Sequence, residues 1–442
     1  MKITKIETNY KKNLFFKETQ NIKFQNYTNS VEKQVIQIYP SIHYQTFLGF
    51  GGAFTEATSY AINQLPNKIA NNLFKEYFSK EGLQYTLCRL TIGSSDFSLK
   101  SYSYSNKEDL SDFSIKPDYA YIIPAIHYAQ KINPNLQFLA SPWSPPKFMK
   151  TNQSLYSGGK LIKKYYKTWA NYLVKYIKAY EKEKKYISYI TIQNEPNAKQ
   201  IWESCIYTPE EEIDFAVNYL YPAFKFNNIT TKLLIWDHNK EKLFTRTTQK
   251  IVNTSAFSAF SGIAFHWYTG DHFENIYLTQ KAIPEKLLIH TEGCTGYSKF
   301  KSKDEVNNAE IYGHDILGDL NAGINGYIDW NMVLDYKGGP NHQKNYCNAP
   351  IMLNRANDNY IKNLTFYYIG HFSKFIQPFA KRIAFSRYST DIEVTAFKNP
   401  DNTIAIVMLN RTNLNKEYNL IIDNIVIHDN LDNHAIVSYT IK

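Results

Sequence analysis

Eight short apolar runs between residues 47 and 331, separated by stretches with helical spacing, constrain the fold more than any other feature of this chain. Each run has the length and the β-branched content of a buried parallel strand. Because strands and helices alternate over this length, the pattern predicts an α/β fold of the (β/α)8 TIM-barrel type. The runs cover residues 47–54, 85–92, 136–141, 187–195, 233–236, 263–268, 287–292 and 326–331.

A doubly wound sheet is the alternative arrangement of alternating strands and helices. Such a sheet normally carries a G-x-G-x-x-G phosphate loop after an early strand. Gly49, Gly51 and Gly52 do not have this spacing, so the barrel is favoured.

The pattern changes after about residue 378. Two alternating apolar runs, 391–397 and 404–409, flank a turn at 399–402 and predict a β-hairpin. More short strands follow, so the tail is an all-β module, which the short strands at the start of the chain can join.

The positive charge of the chain is spread rather than clustered. The formal net charge is +10, but the lysines are spread along the chain. Those of the amphipathic helix predicted at 160–180, for example, are typical of a solvated face. We therefore expect no nucleic-acid partner. Hydrophobic residues make up 43% of the chain, which supplies a sizeable core and excludes a disordered protein.

No apolar segment of the sequence has the length of a membrane span, and the first ten residues lack the apolar region of a secretory signal. The four cysteines, Cys88, Cys205, Cys294 and Cys347, have no metal-like spacing and fit a reducing compartment. We therefore expect a cytoplasmic protein, although a secreted chain whose signal has been removed would read the same way. The sequence assigns no oligomeric state.

Polar and aromatic residues follow the predicted strands, at the end of a barrel where reacting groups lie. Glu195 and Glu292 end two of these strands, and a pair of carboxylates facing each other across a barrel mouth is able to cleave a glycosidic bond, one as proton donor and one as nucleophile. The remaining strand-end residues are rich in the carboxylates, amides and rings that bind sugars: Glu56, Arg89, Asp96, Trp143, Asn194, Asp237, His238, His266, Tyr268, Trp330 and Asn331.

No cluster of cysteine and histidine predicts a zinc site, so we expect neither a metal nor another cofactor. Magnesium held by Asp and Glu is harder to exclude from the sequence. A metal-dependent barrel hydrolase is therefore an open alternative, and it would lose activity in a chelator.

A set of short motifs, in this order, resembles glycoside hydrolase family 30, the glucosylceramidase family of clan A. The motifs are GFGGAFTEA (49–57), SSDFS (94–98), ASPWSPP (140–146), KTN (150–152), NEP (194–196), FHWY (265–268), DWN (329–331), GGPN (338–341) and GHFSKF (370–375). The resemblance implies a (β/α)8 catalytic barrel over residues 46–377. It also implies an all-β sandwich side domain formed by both termini, residues 1–45 and 378–442.

The resemblance also implies roles for the residues at matching positions. Glu195 would be the general acid/base and Glu292 the nucleophile of a double displacement that retains the anomeric configuration. Because Glu195 must hold a proton at rest, we expect its pKa to lie above that of Glu292. The implied substrate-binding residues are Asp96, Trp143, Asn194, Arg89, His266, Tyr268, Trp330 and Asn345.

Some of these residues have a more specific expected contact. Asn194 would bond the sugar 2-OH, Arg89 would orient Glu292, and Trp330 would form a stacking wall. His238 and His290 are evenly balanced between packing and a supporting role, so they are left out of the predicted site.

The resemblance implies an exo-acting hydrolase of terminal β-glucosides that takes a small β-glycoside or an oligosaccharide. A β-xylosidase and a β-1,6-glucanase are the alternatives within the family, and a non-catalytic carbohydrate-binding barrel is the alternative outside the enzymes. The loop 197–207 differs from the corresponding loop of animal glucosylceramidases and is expected to line the aglycone side. This difference argues against ceramide as the leaving group.

Overall fold

The computed structural model describes residues 2–27, 33–296 and 304–442. At its centre is a closed barrel of eight parallel strands that neighbour each other in chain order, which confirms the predicted fold. Four strands precede the barrel: β1 (Ile3–Asn9), β2 (Leu14–Gln20), β3 (Gln25–Asn26) and β4 (Val35–Thr46). The barrel strands are β5 (Gly49–Phe54), β6 (Leu87–Ile92), β7 (Gln137–Pro142), β8 (Ile187–Thr191), β9 (Lys232–Asn239), β10 (Phe260–His266), β11 (Leu287–Glu292) and β12 (Gly326–Asn331).

The interior of the barrel is filled by side chains from different strands. Leu87, Leu139, Leu234, Ile289 and Ile328 are fully buried there and form one apolar cluster. The barrel centre is therefore packed core, and chemistry is confined to the strand ends.

The glycine-rich first barrel strand reflects a close backbone approach. A Cβ atom on Gly51 would lie 1.4 Å from the carbonyl oxygen of Leu87 in β6. Only glycine lets β5 and β6 come together at this point.

Helices connect the barrel strands on the outside. Helix α5 shows why one of them begins where it does: Thr208 caps it, and Glu211 closes a capping box. The helices are α1 (Glu56–Gln64), α2 (Asn67–Phe78), α3 (Ile122–Ile132), α4 (Tyr166–Lys182), α5 (Pro209–Phe215), α6 (Tyr221–Phe226), α7 (Gln249–Ile251), α8 (Phe273–Ala282), α9 (Glu305–Ala322) and α10 (Leu364–Ser373). Among the described residues, none of the helices is both long and apolar enough to cross a bilayer.

After the barrel, three short strands form a small separate sheet, and six more build the all-β side domain. The small sheet contains β13 (Val333–Leu334), β14 (Ile351–Leu353) and β15 (Tyr360–Lys362). The later strands are β16 (Lys381–Arg387), β17 (Ile392–Lys398), β18 (Ile404–Asn410), β19 (Lys416–Ile422), β20 (Ile425–Leu431) and β21 (Ala435–Ile441).

Both ends of the chain contribute to the β-sandwich, as predicted. β1 pairs antiparallel with β21, and β4 pairs with β16 and β19. Buried aliphatic residues of these strands form a core of their own, apart from the barrel core.

Helix α10 joins the sandwich to the barrel. The ring of His371 is fully buried, and its two nitrogens lie 2.8 Å from the hydroxyl oxygens of Thr8 and Ser438. Burial lowers the pKa of His371 to about 3, so this link between the domains is made by a neutral ring.

Candidate active site

A cavity of about 570 Å³ opens at the C-terminal ends of the barrel strands. Arg89 and His266 are fully buried and contact the carboxylates of this cavity. The other eight predicted site residues line it: Asp96, Trp143, Asn194, Glu195, Tyr268, Glu292, Trp330 and Asn345. The structure therefore brings all ten predicted residues together.

The cavity has seven further lining residues beyond the predicted set. Most belong to loops, whose conformation does not follow from strand periodicity. Gln200 and Trp202 belong to the loop 197–207, which was expected to line the aglycone side, whereas the remaining ones were not predicted: His238, Asn239, Gly296, Lys344 and Tyr346.

Irregular backbone shapes the strand ends around the cavity. The register of β9 with β10 skips Asp237, and that of β11 with β10 skips Thr291. Such bulges turn a side chain out of the regular alternation. In addition Glu195, Trp236 and Asp237 have φ angles of 48°, 85° and 61°, a strained region for residues other than glycine. Backbone strain of this kind is concentrated at functional sites.

The carboxylate of Glu292 is held from both sides. Nη1 of Arg89 donates to its Oε2 at 2.5 Å, and the hydroxyl of Tyr268 donates to its Oε1 at 2.9 Å. Burial raises the pKa of Glu292, the positive charges of His266 and Arg89 oppose this, and the net direction is upward. The two hydrogen bonds fix the plane of a carboxylate that opens into the cavity.

Asp237 is the hub of the charged groups beneath the cavity, a role that the sequence did not indicate. Its Oδ2 accepts from Nη2 of Arg89 at 2.8 Å and from the hydroxyls of Ser141 and Thr191 at 2.7 Å. Its Oδ1 accepts from Thr291 at 2.6 Å and lies 3.1 Å from Nε2 of His266. Burial raises the pKa of Asp237, but these partners outweigh it and hold the pKa well below the usual range.

His266 lies between the two strand-end glutamates. Its Nδ1 is 3.6 Å from Oε1 of Glu195, and its Nε2 is 4.0 Å from Oε2 of Glu292. Burial lowers the pKa of His266, but the charge of Glu292 and the contacts with Asp237 and Glu195 raise it to about 9. The ring is thus a buried imidazolium that faces three carboxylates.

The expected order of the two glutamate pKa values is wrong for this structure. Burial raises the pKa of Glu195, but its contacts with His266, His238 and Gln200 bring it down to about 2. The pKa of Glu292 is shifted upward instead. The surroundings of Glu195 therefore favour its ionised form, with the proton of the Glu195–His266 pair drawn toward the imidazole.

A second group of polar atoms surrounds Asp96 at the other side of the cavity. Its Oδ2 accepts from the side-chain amides of Asn341 and Asn345, each at 3.2 Å. Burial and the charge of Glu292 raise the pKa of Asp96 to about 7. A carboxyl group of this kind can accept from sugar hydroxyls, and its charge changes near neutral pH.

Two tryptophans form the apolar wall of the cavity. The rings of Trp143 and Trp330 stack with centroids 5.3 Å apart, and the guanidinium of Arg89 lies 4.9 Å and 5.5 Å from the two centroids. Flat rings of this kind pack against the C–H face of a sugar.

One buried cluster of metal-ligand types occurs among the described residues, formed by His290, Asp315 and Asp319. The ammonium of Lys240 already lies between the two aspartates, at 2.5 Å and 2.8 Å. Nδ1 of His290 is 2.7 Å from Asp319. The cluster is therefore an ion-pair network that joins α9 to the barrel, and its donor set does not fit a bound cation.

Comparison with known proteins places this geometry in a family. Residues 47–376 match the glycosyl hydrolase family 30 TIM-barrel domain, and residues 380–439 match the glycosyl hydrolase family 30 beta sandwich domain. The lysosomal acid glucosylceramidase of Mus musculus is 33% identical over 399 residues, which cover 86% of this chain and 77% of the mouse protein.

Two solved structures extend the comparison over the whole chain. The SrfJ protein of Salmonella typhimurium is 33% identical, with a TM-score of 0.96 over 100% of both chains. The endo-beta1,6-glucanase BT3312 is 28% identical, with a TM-score of 0.89 over 99% of both chains. This chain therefore belongs to glycoside hydrolase family 30, in clan A, and is a glycoside hydrolase.

Proposed function

We propose that the protein is a retaining β-glycosidase in which Glu292 is the nucleophile and Glu195 the general acid/base. The observation that carries this proposal is the pair of strand-end carboxylates that share one cavity and one imidazole neighbour, His266. The two carboxylates have different surroundings, since Arg89 and Tyr268 donate to Glu292 and Gln200 donates to Glu195.

The reaction follows from the environment of each group. Glu292, oriented by Arg89 and Tyr268, attacks the anomeric carbon while the bond to the leaving oxygen breaks and Glu195 protonates that oxygen. The product of this step is a glycosyl ester of Glu292. Water then attacks the same carbon, gives its proton to Glu195 and releases the Glu292 carboxylate, so that the β configuration is restored.

For the substrate, we propose a terminal β-glucoside and exo action. Asp96, with its two asparagine partners, and the Trp143–Trp330 wall provide acceptors and a stacking face for one sugar ring. The family relatives named as glucosylceramidases support glucose as this sugar.

A β-1,6-glucanase is the second candidate, because additional aromatic side chains lie at the cavity. Trp202 and Tyr346 line it, and Tyr346 is 42% exposed, which offers a stacking surface to a second sugar. The likeness to the endo-beta1,6-glucanase BT3312 supports this candidate. A β-xylosidase is tested in the same experiment.

The experiment is a panel of aryl β-glucoside, xyloside, galactoside and fucoside, together with β-1,6-linked gluco-oligosaccharides, with the released anomer followed by NMR. β-Glucose as the first product from the aryl glucoside supports the proposal. A faster xyloside reassigns the sugar, and cleavage of the oligosaccharides alone supports the glucanase. An α-anomer as first product contradicts the retaining mechanism.

Variants test the two roles separately. Glu292→Gln is expected to abolish turnover, while Glu285→Gln, an exposed glutamate before β11, is the matched control. Glu195→Ala should slow glycosides with poor leaving groups roughly 100-fold or more and activated aryl glycosides much less. Equal losses on both kinds of substrate would contradict the role of Glu195.

A further inference from the structure

The loop 197–207 is held rigidly against the cavity. The hydroxyl of Ser204 accepts from the backbone nitrogens of Gly158 and Gln200 at 2.9 Å and 3.2 Å. The buried ammonium of Lys150 donates to the carbonyl oxygens of Leu155 and Ser204 at 3.1 Å and 2.6 Å. Both the hydroxyl and the carbonyl oxygen of Ser204 therefore tie the loop to the segment 150–159.

A second anchor lies on the same loop. Glu203 is buried, and its Oε1 accepts from the hydroxyls of Ser94 and Ser101, each at 2.6 Å. Its Oε2 lies 3.4 Å from Nε2 of His342. With these ties to three separate segments, the loop presents its cavity residues in fixed positions.

One side chain of this loop reaches the carboxyl group of Glu195. Nε2 of Gln200 donates to Oε2 of Glu195 at 3.0 Å. The other oxygen, Oε1, faces His266 at 3.6 Å and His238 at 3.8 Å. The two oxygens of Glu195 thus have different partners, an amide group for Oε2 and two imidazole rings for Oε1.

We propose that Gln200 is a positioning residue that holds Glu195 toward the leaving group and stabilises its negative charge as its proton is transferred. This inference rests on the proposed acid/base role of Glu195. A hydrogen bond to a carboxylate is stronger than one to a neutral carboxylic acid. The contact is therefore worth most when Glu195 has given its proton to the leaving oxygen.

The leaving group decides how much this contact matters. A weakly acidic alcohol needs its proton early, and the charge on Glu195 is then well developed in the transition state. A strongly acidic phenol departs with little protonation, so the contact contributes little. Removal of the Gln200 amide should therefore steepen the dependence of kcat/KM on the acidity of the leaving group.

The test measures kcat/KM over a series of aryl glycosides with phenols of graded acidity, using the sugar that the enzyme hydrolyses fastest. Gln200→Leu is expected to lose on the order of 10-fold or more with the least acidic phenol and little with the most acidic one. Ile201→Ala, at an adjacent residue that is 67% exposed, is the matched control and should follow the parent enzyme.

A second variant keeps the test valid if Gln200→Leu is poorly folded. Gln200→Glu is nearly isosteric but places a negative charge beside Glu195, which already faces His238, His266 and Glu292. Because this charge raises the pKa of Glu195, the basic limb of the pH profile of kcat/KM should move to higher pH in this variant, an effect that requires residue 200 to contact Glu195.

The outcomes separate this inference from the proposed function. If Glu195→Ala shows the leaving-group dependence but Gln200→Leu loses activity equally on every substrate, Gln200 only supports the loop and the inference is wrong. If Glu195→Ala itself lacks that dependence, the assigned acid/base is wrong and the inference fails with it.

Discussion

Asp237→Asn tests whether one buried carboxylate sets the protonation of the whole site. In the structure Oδ2 accepts from Arg89 and two hydroxyls, whereas Oδ1 accepts from Thr291 and faces His266. Asparagine has only one acceptor oxygen. Because the guanidinium of Arg89 can only donate, the amide oxygen has to replace Oδ2, and the NH₂ group then faces His266 and Thr291.

This orientation forces a change on His266. Its Nε2 would meet a donor, so it must lose its proton, and the neutral ring keeps a proton only on Nδ1, toward Glu195. The proton shared by His266 and Glu195 is then held less tightly because the negative charge of Asp237 is gone. We expect the basic limb of the pH profile of kcat/KM to move to lower pH. The acid limb should move to higher pH, because Glu292 no longer faces the charge of His266, which lowers its pKa.

The same substitution has a cost in stability. Asp237→Asn weakens hydrogen bonds between charged groups, which are worth about 1.5–3 kcal/mol, and the free energy of unfolding should fall by that amount. Asp237→Ala leaves Arg89 with less compensating charge and should cost about 3–5 kcal/mol. Urea denaturation measures both values, with Asp423→Asn at an exposed position as the control.

The pH profile decides the outcome. A smaller pH interval between the two limbs of kcat/KM in Asp237→Asn supports the loss of the Nε2 proton from His266. If Asp237→Asn unfolds more easily but both limbs stay at their parental pH, Asp237 stabilises the barrel without setting the charge of His266, and the reasoning is refuted.

Three further predictions follow from other contacts. Tyr268→Phe removes a hydrogen bond to Glu292, so the pKa of Glu292 and the acid limb of kcat/KM should rise by on the order of one unit; an unchanged limb would contradict this. Lys240→Met removes the cation between two buried aspartates of α9 and should lower the free energy of unfolding by about 3–5 kcal/mol, measured in urea. Asp118 accepts from three tyrosine hydroxyls, and burial raises its pKa to about 7. Its contribution to the free energy of unfolding is therefore present below about pH 4 and is lost as the pH rises through 7. Asp118→Asn should flatten the dependence of the free energy of unfolding on pH in this range, by roughly 4 kcal/mol at most.

The sequence predicts the barrel because its strands are buried on both faces. A run such as Leu287–Glu292 is apolar until its last polar residues, and the place where the polarity changes is the strand end. The strand-end pattern predicts Glu195 and Glu292, together with Asp96 and Trp143, and the ordered motifs add Asn345. These features are local in the chain, so they are visible without a structure.

Asp237 shows what the sequence does not supply. It ends an apolar run like the other strand-end residues, but its five partners come from five different strands. The bulge and the positive φ that direct it inward have no signal in the residue types. Asp237 meets these five partners only because the strands that carry them are brought together when the barrel closes.

The pKa order of the two glutamates could not be predicted for a similar reason. It depends on His266, whose ring lies between them at 3.6 Å and 4.0 Å. The sequence places His266 at a strand end, but it does not give the position of the ring between the carboxylates. The contact of Gln200 with Glu195 could likewise not be predicted, because it depends on how the loop 197–207 is anchored.

The pairing of the first and last strands fixes when the side domain can be completed during synthesis. Ile3 lies opposite Ile441, so β1 has to wait for β21 to leave the ribosome. The barrel strands, which neighbour each other in chain order, are all synthesised before that moment. The sandwich therefore closes last, and a ribosome that stops before residue 435 leaves β1 without one of its two partners and β18 with an exposed edge.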